Sequence, residues 1–258
     1  MLQIDRRQEI LEMINKKGSV KVQELAETYN VGKETIRRDL KALEQEWNVT
    51  VVYGGAHLNT TSVGSNIREE HITTKRECNA ELKHRIAKKA AALIESGDVI
   101  ALNSGSTTEC ILNYIGDKTP LSVVTVNVNI AAKAALIPGV EVFMPAGKIR
   151  GKSGMIINPE EDQFLKHFTV NKCFFGVSAI SLGSQITHPA VEEIANNRTL
   201  IAISEKVYLV ADHTKYDKNS LYRMARLDEM TGVIVDEPLN DGYTTYLKKS
   251  SVELIVAE

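Results

Sequence analysis

The stretch Val31-Gly32-Lys33-Glu34-Thr35-Ile36-Arg37-Arg38-Asp39-Leu40-Lys41-Ala42-Leu43-Glu44 decides how the first part of the chain folds. Ile36, Leu40 and Leu43 recur at i, i+4 and i+7, the spacing of one buried helix face. A helix is therefore expected from Lys33 to about Glu46. With the apolar stripe turned inward, Lys33, Arg37 and Lys41 line the outside at i, i+4 and i+8. Glu34, Thr35 and Arg38 flank that line. A basic helix face alone is more often simply solvated, so its neighbours have to decide its meaning.

Upstream, Ile10, Leu11 and Ile14 mark an amphipathic helix over residues 3–17, with Arg6 and Arg7 off the apolar stripe. Gly18 is suited to end it. Ser19 to Val22 alternates like a short strand. Val22, Leu25, Ala26 and Tyr29 space a second helix, and Asn30-Val31-Gly32 breaks it. Three short helices with a tight turn before the third form a helix-turn-helix pattern. The third is then the recognition helix: its early residues reach base edges, and its Arg and Lys side chains hold phosphates. Downstream, the β-prone run Asn48 to Tyr53, then Gly54-Gly55, then Ala56-His57-Leu58 reads as two strands around a glycine turn. Such a wing lies along the phosphate backbone and brings Tyr53 and His57 to it. The expected partner is double-stranded operator DNA.

A net charge of −2 over 258 residues means that any basic surface is local. The longest apolar runs, such as Val123 to Val128, are too short to span a bilayer. The N-terminus has no apolar signal core, so a cytoplasmic protein with no membrane partner is expected. Cys78, Cys110 and Cys173 lie far apart, without metal-ligand spacing. They are expected to be reduced, mostly buried thiols. No metal and no cofactor are expected.

Residues 59–78 are polar and sustain no apolar period, as in a linker with at most a short helix. From Asn79 onward, helical stretches alternate with short apolar runs. The expectation is an α/β fold: a winged helix-turn-helix over 1–58, a linker over 59–78, and a C-terminal domain over 79–258 with a mainly parallel sheet. Ligands in such sheets sit at the C-terminal strand ends.

The first such end is Val99 to Leu102, followed by Asn103-Ser104-Gly105-Ser106-Thr107-Thr108. A glycine loop feeding a helix start aims N–H groups and hydroxyls at one point, as an anion pocket does. It lacks the Lys-Ser/Thr of a P-loop. Other ends offer Thr125 and Asn127, then Gly147 and Lys152, then Ser178, then Asp212 and Lys215. These five ends are expected to share one site. Lys215 or Lys152 would neutralise a phosphate, while Asp212, Asn103 and Asn127 would bond sugar hydroxyls.

The chain resembles the DeoR family of bacterial repressors over nearly its whole length. The N-terminal residues carrying this are Arg6…Ile10…Ile14, Val22 to Ala26, Val31 to Leu40, Leu43-Glu44 and Tyr53-Gly54-Gly55-Ala56. Later ones are Gly105 to Thr108, Val123 to Thr125, Ile130-Ala131 and Ala211-Asp212…Lys215-Tyr216. Departures include Gly32 for a capping Ser, Trp47 for a helix-ending Gly, and Val51 for a wing Arg. In the larger domain, Asn103 stands for Asp, Val126 for Asn, and Ala146 for the first Gly of a pair.

The resemblance implies an effector domain folded like sugar-phosphate isomerases of the ribose-5-phosphate type. It also implies a phosphorylated sugar effector, a phosphate cradle at 105–108 and Lys215 as a second anchor. The expected function is repression of a sugar-utilisation operon, relieved by that effector. One headpiece offers too little contact for a tight site, so a homo-oligomer, dimer or tetramer, is expected. The competing reading is an isomerase-like enzyme with an attached DNA module. It needs a general base, for which Asp212, Glu192 and Glu193 are the acidic candidates. No His or Cys stands in a recognisable catalytic pairing, so a non-enzyme is expected.

Overall fold

The computed structural model describes residues 3–46, 49–58, 72–157, 163–181, 183 and 185–257. Trp47, Asn48 and residues 59–71 of the expected linker lie outside them. The chain divides into two compact units, Met1–Glu70 and His71–Glu258.

The first unit contains α1 (Gln3–Lys17), β1 (Ser19–Lys21), α2 (Val22–Tyr29), α3 (Lys33–Glu46), β2 (Val49–Val52) and β3 (Gly55–Leu58). Its core gathers Ile10, Ile14, Leu25, Ile36, Leu40 and Leu43 from the three helices. Burying a side chain of this size contributes about 2 kcal/mol. Asn30 ends α2 in the left-handed conformation, with φ 50°. Gly32 opens α3 through its backbone, its carbonyl accepting from Thr35 N at 2.9 Å and Ile36 N at 3.3 Å. The strands pair antiparallel in the order β1-β3-β2. Gly55 is obligatory there, because a Cβ on it would lie 2.2 Å from the Val20 carbonyl oxygen.

The expectation that Arg6 stays off the buried face is corrected: Arg6 is buried. The reason is Asp39, a fully buried carboxylate on the inner side of α3. A buried charge needs partners. Arg6 Nε donates to it at 2.7 Å, Arg7 Nε at 3.0 Å and Gln3 Nε2 at 3.3 Å. Burial pushes the Asp39 carboxyl up, but these hydrogen bonds outweigh it and hold the group below the usual carboxylate range.

The second unit opens with α4 (Ile72–Glu77) and α5 (Ala80–Ala91), then β4 (Val99–Leu102), α6 (Ser106–Ile111), β5 (Leu121–Thr125), α7 (Val128–Ala134) and β6 (Val140–Phe143). A ribbon of β7 (Lys148–Ile149) and β8 (Ile156–Ile157) follows, then α8 (Gln163–Lys166), β9 (Val170–Gly176), β10 (Ala179–Ile180) and β11 (Gln185–His188). The chain finishes with α9 (Ile194–Ala202), β12 (Ser204–Val210), β13 (Tyr222–Arg226), β14 (Gly232–Val235), α10 (Asp241–Lys249) and β15 (Glu253–Val256).

Seven strands form one parallel sheet in the order β15-β14-β12-β9-β4-β5-β6. Successive strand residues alternate between two cores. Ile100, Leu102, Phe174 and Val210 face α5, α6 and α7, whereas Ala101, Cys173, Phe175 and Leu209 face α8, α9 and α10. A parallel sheet covered on both faces accounts for strands that read as continuous apolar runs. The expectation of a mainly parallel sheet holds. The small antiparallel sheet β10-β11-β13 and helix α10 are additions that the sequence reading did not name.

Of the three thiols, Cys173 is buried, Cys110 is half-buried and Cys78 is exposed. Cys78 corrects the expectation because it sits on the turn joining α4 to α5.

Asp39→Ala should destabilise the first unit by about 3 kcal/mol, the low end for breaking a buried ion pair, because Arg7 keeps partial exposure. Urea unfolding of the full chain checks this, and an unchanged headpiece transition would refute the assignment. The Asp39 group is depressed, so its contribution is present above the ordinary carboxylate value and is lost as pH falls through the lower folded value.

Candidate functional site

The outer face of α3 carries exposed Lys33, Glu34, Arg37, Arg38 and Lys41, with Thr35 half-buried. Arg37 Nη1 donates to Glu34 Oε2 at 3.2 Å, an exposed i, i+3 pair of small worth. Tyr53 is fully exposed at the wing turn, and His57 is half-buried on β3, opposite Ser19 and Thr50. The wing is tied to α3 by Val51 N donating to Glu44 Oε1 at 2.8 Å. This bond ties β2, which leads to the wing turn, to the helix that carries the cations.

In the second unit the sheet reverses its winding between β4 and β9. Crevices outside such a point take ligands in open α/β sheets. Asn103 stands there, buried, and its amide is committed. Its Nδ2 donates to Gly176 O at 2.9 Å and Asn197 Oδ1 at 3.3 Å, and its Oδ1 accepts from Gly176 N at 2.8 Å. Thr108 Oγ1 lies 2.9 Å from the carbonyls of both Asn103 and Gly105. Thr125 Oγ1 donates to Leu102 O at 2.7 Å. These three side chains shape the rim of the crevice rather than fill it.

Asn127 caps α7, its Oδ1 accepting from Asn129 N and Ile130 N, while its Nδ2 donates to Ser104 Oγ at 2.7 Å and Ser153 O at 2.8 Å. The loop after β7 folds onto this cap: Val128 N donates to Gly154 O at 2.9 Å, and Ile156 N to Val126 O at 2.7 Å. The structure therefore brings Asn103, Gly105, Ser106, Thr107, Thr108, Thr125 and Asn127 together. Ser106 and Thr107 are buried in the first turn of α6. Gly147 lies instead in the β7–β8 ribbon, where a Cβ would approach Ile157 O to 2.6 Å. The Lys152 carbonyl accepts from Ile72 N at the start of α4, at 2.9 Å, and its side chain is exposed. Ser178 is buried just past β9.

Asp212 follows β12 and is fully buried. Its Oδ1 accepts from Thr214 N at 3.1 Å and Asn79 Nδ2 at 3.5 Å, and from Thr214 Oγ1. Its Oδ2 has no hydrogen-bond partner. An orphan buried carboxylate oxygen is costly, and it is suited to accept from a ligand hydroxyl.

Lys83 was missed by sequence reading. It is buried on α5, and burial, then the nearby Lys215 ammonium, push its pKa down, while Asp212 pulls it up. A lysine at i before the apolar Ile86, Ala87 and Ala90 was the available signal. Two further acid–base pairs lie at strand ends. His213 Nδ1 sits 2.6 Å from Asp236 Oδ2, and this hydrogen bond raises the imidazole pKa. Glu237 Oε1 is 3.7 Å from the same nitrogen, so these three could offer ligand atoms to a cation. Buried His188 lies 3.4 Å from Glu193, which also takes Arg150 at 3.2 Å. A shallow, open depression of about 480 Å³ between α5 and the turn at residues 113–118 is lined by Lys88, Tyr114 and Asp117, away from these strand ends. Among the described residues, no helix is long and apolar enough to cross a membrane.

Residues 6–62 match the DeoR-like helix-turn-helix domain, and residues 78–237 match the DeoR C terminal sensor domain. A putative aga operon transcriptional repressor of Escherichia coli O157:H7 is 30% identical, over 98% of this chain and 93% of its own length. The glycerol-3-phosphate regulon repressor of Escherichia coli K12 is 29% identical, over 92% of each. The solved ribose 5-phosphate isomerase A of Methanocaldococcus jannaschii overlaps 54% of this chain and 55% of its own, with 15% identity and a TM-score of 0.41. The chain belongs to the DeoR family of DNA-binding transcriptional regulators, with the helix-turn-helix in its first unit and the sensor domain in its second.

Proposed function

We propose that this regulator represses a sugar-utilisation operon and is released from its operator by a phosphorylated sugar. The observation that carries the reading is α3, whose outer face presents Lys33, Arg37, Arg38 and Lys41 to solvent while its inner face builds the headpiece core. Relatives named as repressors of an aga operon and a glycerol-3-phosphate regulon support the direction of control and the class of pathway.

In this reading Lys33, Glu34, Thr35 and Arg37 meet base edges. Arg38, Lys41, Tyr53 and His57 meet the backbone. A homo-oligomer, dimer or tetramer, sets two headpieces on repeated half-sites. The effector phosphate rests against Gly105, Ser106, Thr107 and Thr108 with Lys215 opposite. The orphan Asp212 oxygen accepts a sugar hydroxyl. A phosphate beside Lys215 is favoured by charge, and Asp212 then discriminates ligands that carry a hydroxyl from those that do not. The reading contains no turnover: the site binds, and binding shifts the equilibrium between a DNA-competent and a released state.

Arg37→Ala should weaken operator binding by about 1–3 kcal/mol if the contact is bidentate to a base, measured by fluorescence anisotropy at fixed salt. Unchanged affinity would falsify the recognition-helix assignment. Thr107→Ala should leave operator affinity intact and blunt release by a sugar phosphate. If it weakens DNA binding as much as Arg37→Ala does, residue 107 serves the fold and not the effector.

A further inference from the structure

Helix α4 is the first described element after residues 59–71, through which the chain arrives from the headpiece. Contacts within the second unit hold it at both ends and along its side. Ile72 N, at its start, donates to Lys152 O at 2.9 Å, and the adjoining Ser153 carbonyl is the one that Asn127 Nδ2 engages. At its end, Lys83 Nζ donates to the carbonyls of Lys75 and Cys78. Along its length, Arg76 Nε and Nη2 reach Glu109 Oε2 on α6 at 3.0 and 2.8 Å. Just past its end, Asn79, in the left-handed conformation, donates to Asp212 Oδ1 at 3.5 Å and Thr214 Oγ1 at 3.4 Å.

Lys83 is the informative group. An ammonium has three donors, and among the described residues two are taken, both by α4 and its following turn. Among the described residues the third has no partner, and Asn79, whose carbonyl accepts from Lys83 N at 3.1 Å, reaches Asp212, whose Oδ2 is also unpartnered among them. Lys83 is buried, and the Lys215 charge acts with that burial to disfavour its charged form. An anion placed between two ammonium groups removes that repulsion and keeps both charged. A charged Lys83 then binds the carbonyl end of α4 more strongly, as cations do at helix C-termini.

We propose that Lys83 couples the sensor pocket to α4: an anionic effector takes its third donor and thereby tightens the seat of the helix that leads to the DNA-binding unit. The proposal rests on the effector reading above and adds its route of transmission. Lys83 is here a positioning residue for α4 as well as a ligand contact. Without effector, α4 is held by a destabilised lysine. With effector, its carbonyl end is held more firmly, so the occupied and empty pockets differ in how tightly α4 is seated.

The test uses the full chain and inorganic phosphate at constant ionic strength. Binding is followed by thermal shift, and amide hydrogen exchange is read over residues 72–78. Saturating phosphate should slow exchange in this segment about tenfold, a coupling of ordinary allosteric size. Lys83→Met should speed exchange there in the absence of phosphate, and phosphate should no longer change it. Lys215→Met, which leaves the Lys83–α4 contacts in place, should lose the slowing at phosphate concentrations that still give a thermal shift, and slowing that survives in it overturns the proposal, which keeps the test decisive if Lys83→Met does not fold. Phosphate that stabilises the protein but leaves exchange at 72–78 unchanged overturns the coupling and spares the effector reading. Phosphate that does not stabilise the protein at all overturns both.

Discussion

The second unit depends on one junction. Its sheet winds outward in two directions from β4 and β9, whose register ends with Leu102 opposite Phe174, so a side chain has to hold the strand ends together beyond it. Asn103 does so by bonding both the N–H and the carbonyl of Gly176. Its carboxamide does both with one planar group that carries a donor and an acceptor. Around this amide the rim assembles in turn: Thr108 closes the loop after β4, Thr125 ties β5 to it, and Asn127 draws in the loop carrying Ser153 and Gly154. The crevice is therefore defined by hydrogen bonds that leave few donors and acceptors spare. Among the described residues, the buried Asp212 Oδ2 and the Tyr216 hydroxyl are left without a partner.

The two units solve the burial of charge in the same way. In the headpiece, Asp39 goes inside because Arg6, Arg7 and Gln3 come with it. In the sensor unit, Lys83 goes inside because two carbonyls receive it. In both, the buried charge joins one helix to another part of the unit. This is also how a chain of net charge −2 presents a basic face: charge is partitioned by position, not by total.

Much of this was legible from residue order alone. The period of Ile36, Leu40 and Leu43 defined α3 to the residue at its start, and the apolar runs from Val99 onward marked the strands of a parallel sheet. Strand ends could be listed, and those at Asn103, Thr125 and Asn127 do meet. What was not legible depended on pairing across long separations. Asp39 looks like one more polar residue on a helix until α1 packs against it. Lys83 looks like a surface lysine until α4 lays its carbonyls over it. Gly147 was read with the ligand loops, yet the need for glycine there comes from the Ile157 carbonyl across a two-stranded ribbon. Propensity and period report on a residue's own element, while these contacts are between elements.

The wing shows how the same fold can be kept while its surface changes. Backbone meets backbone where Gly55 passes under the Val20 carbonyl, and Glu44 fixes the neighbouring strand through the Val51 N–H. Neither contact involves the identity of the side chain at the turn. Tyr53 stands fully clear of the unit that carries it. A position whose side chain costs folding nothing is one on which selection can act for surface chemistry alone. The side chain at the tip of the wing is thus set by what it meets outside the unit, and the frame beneath it does not depend on it.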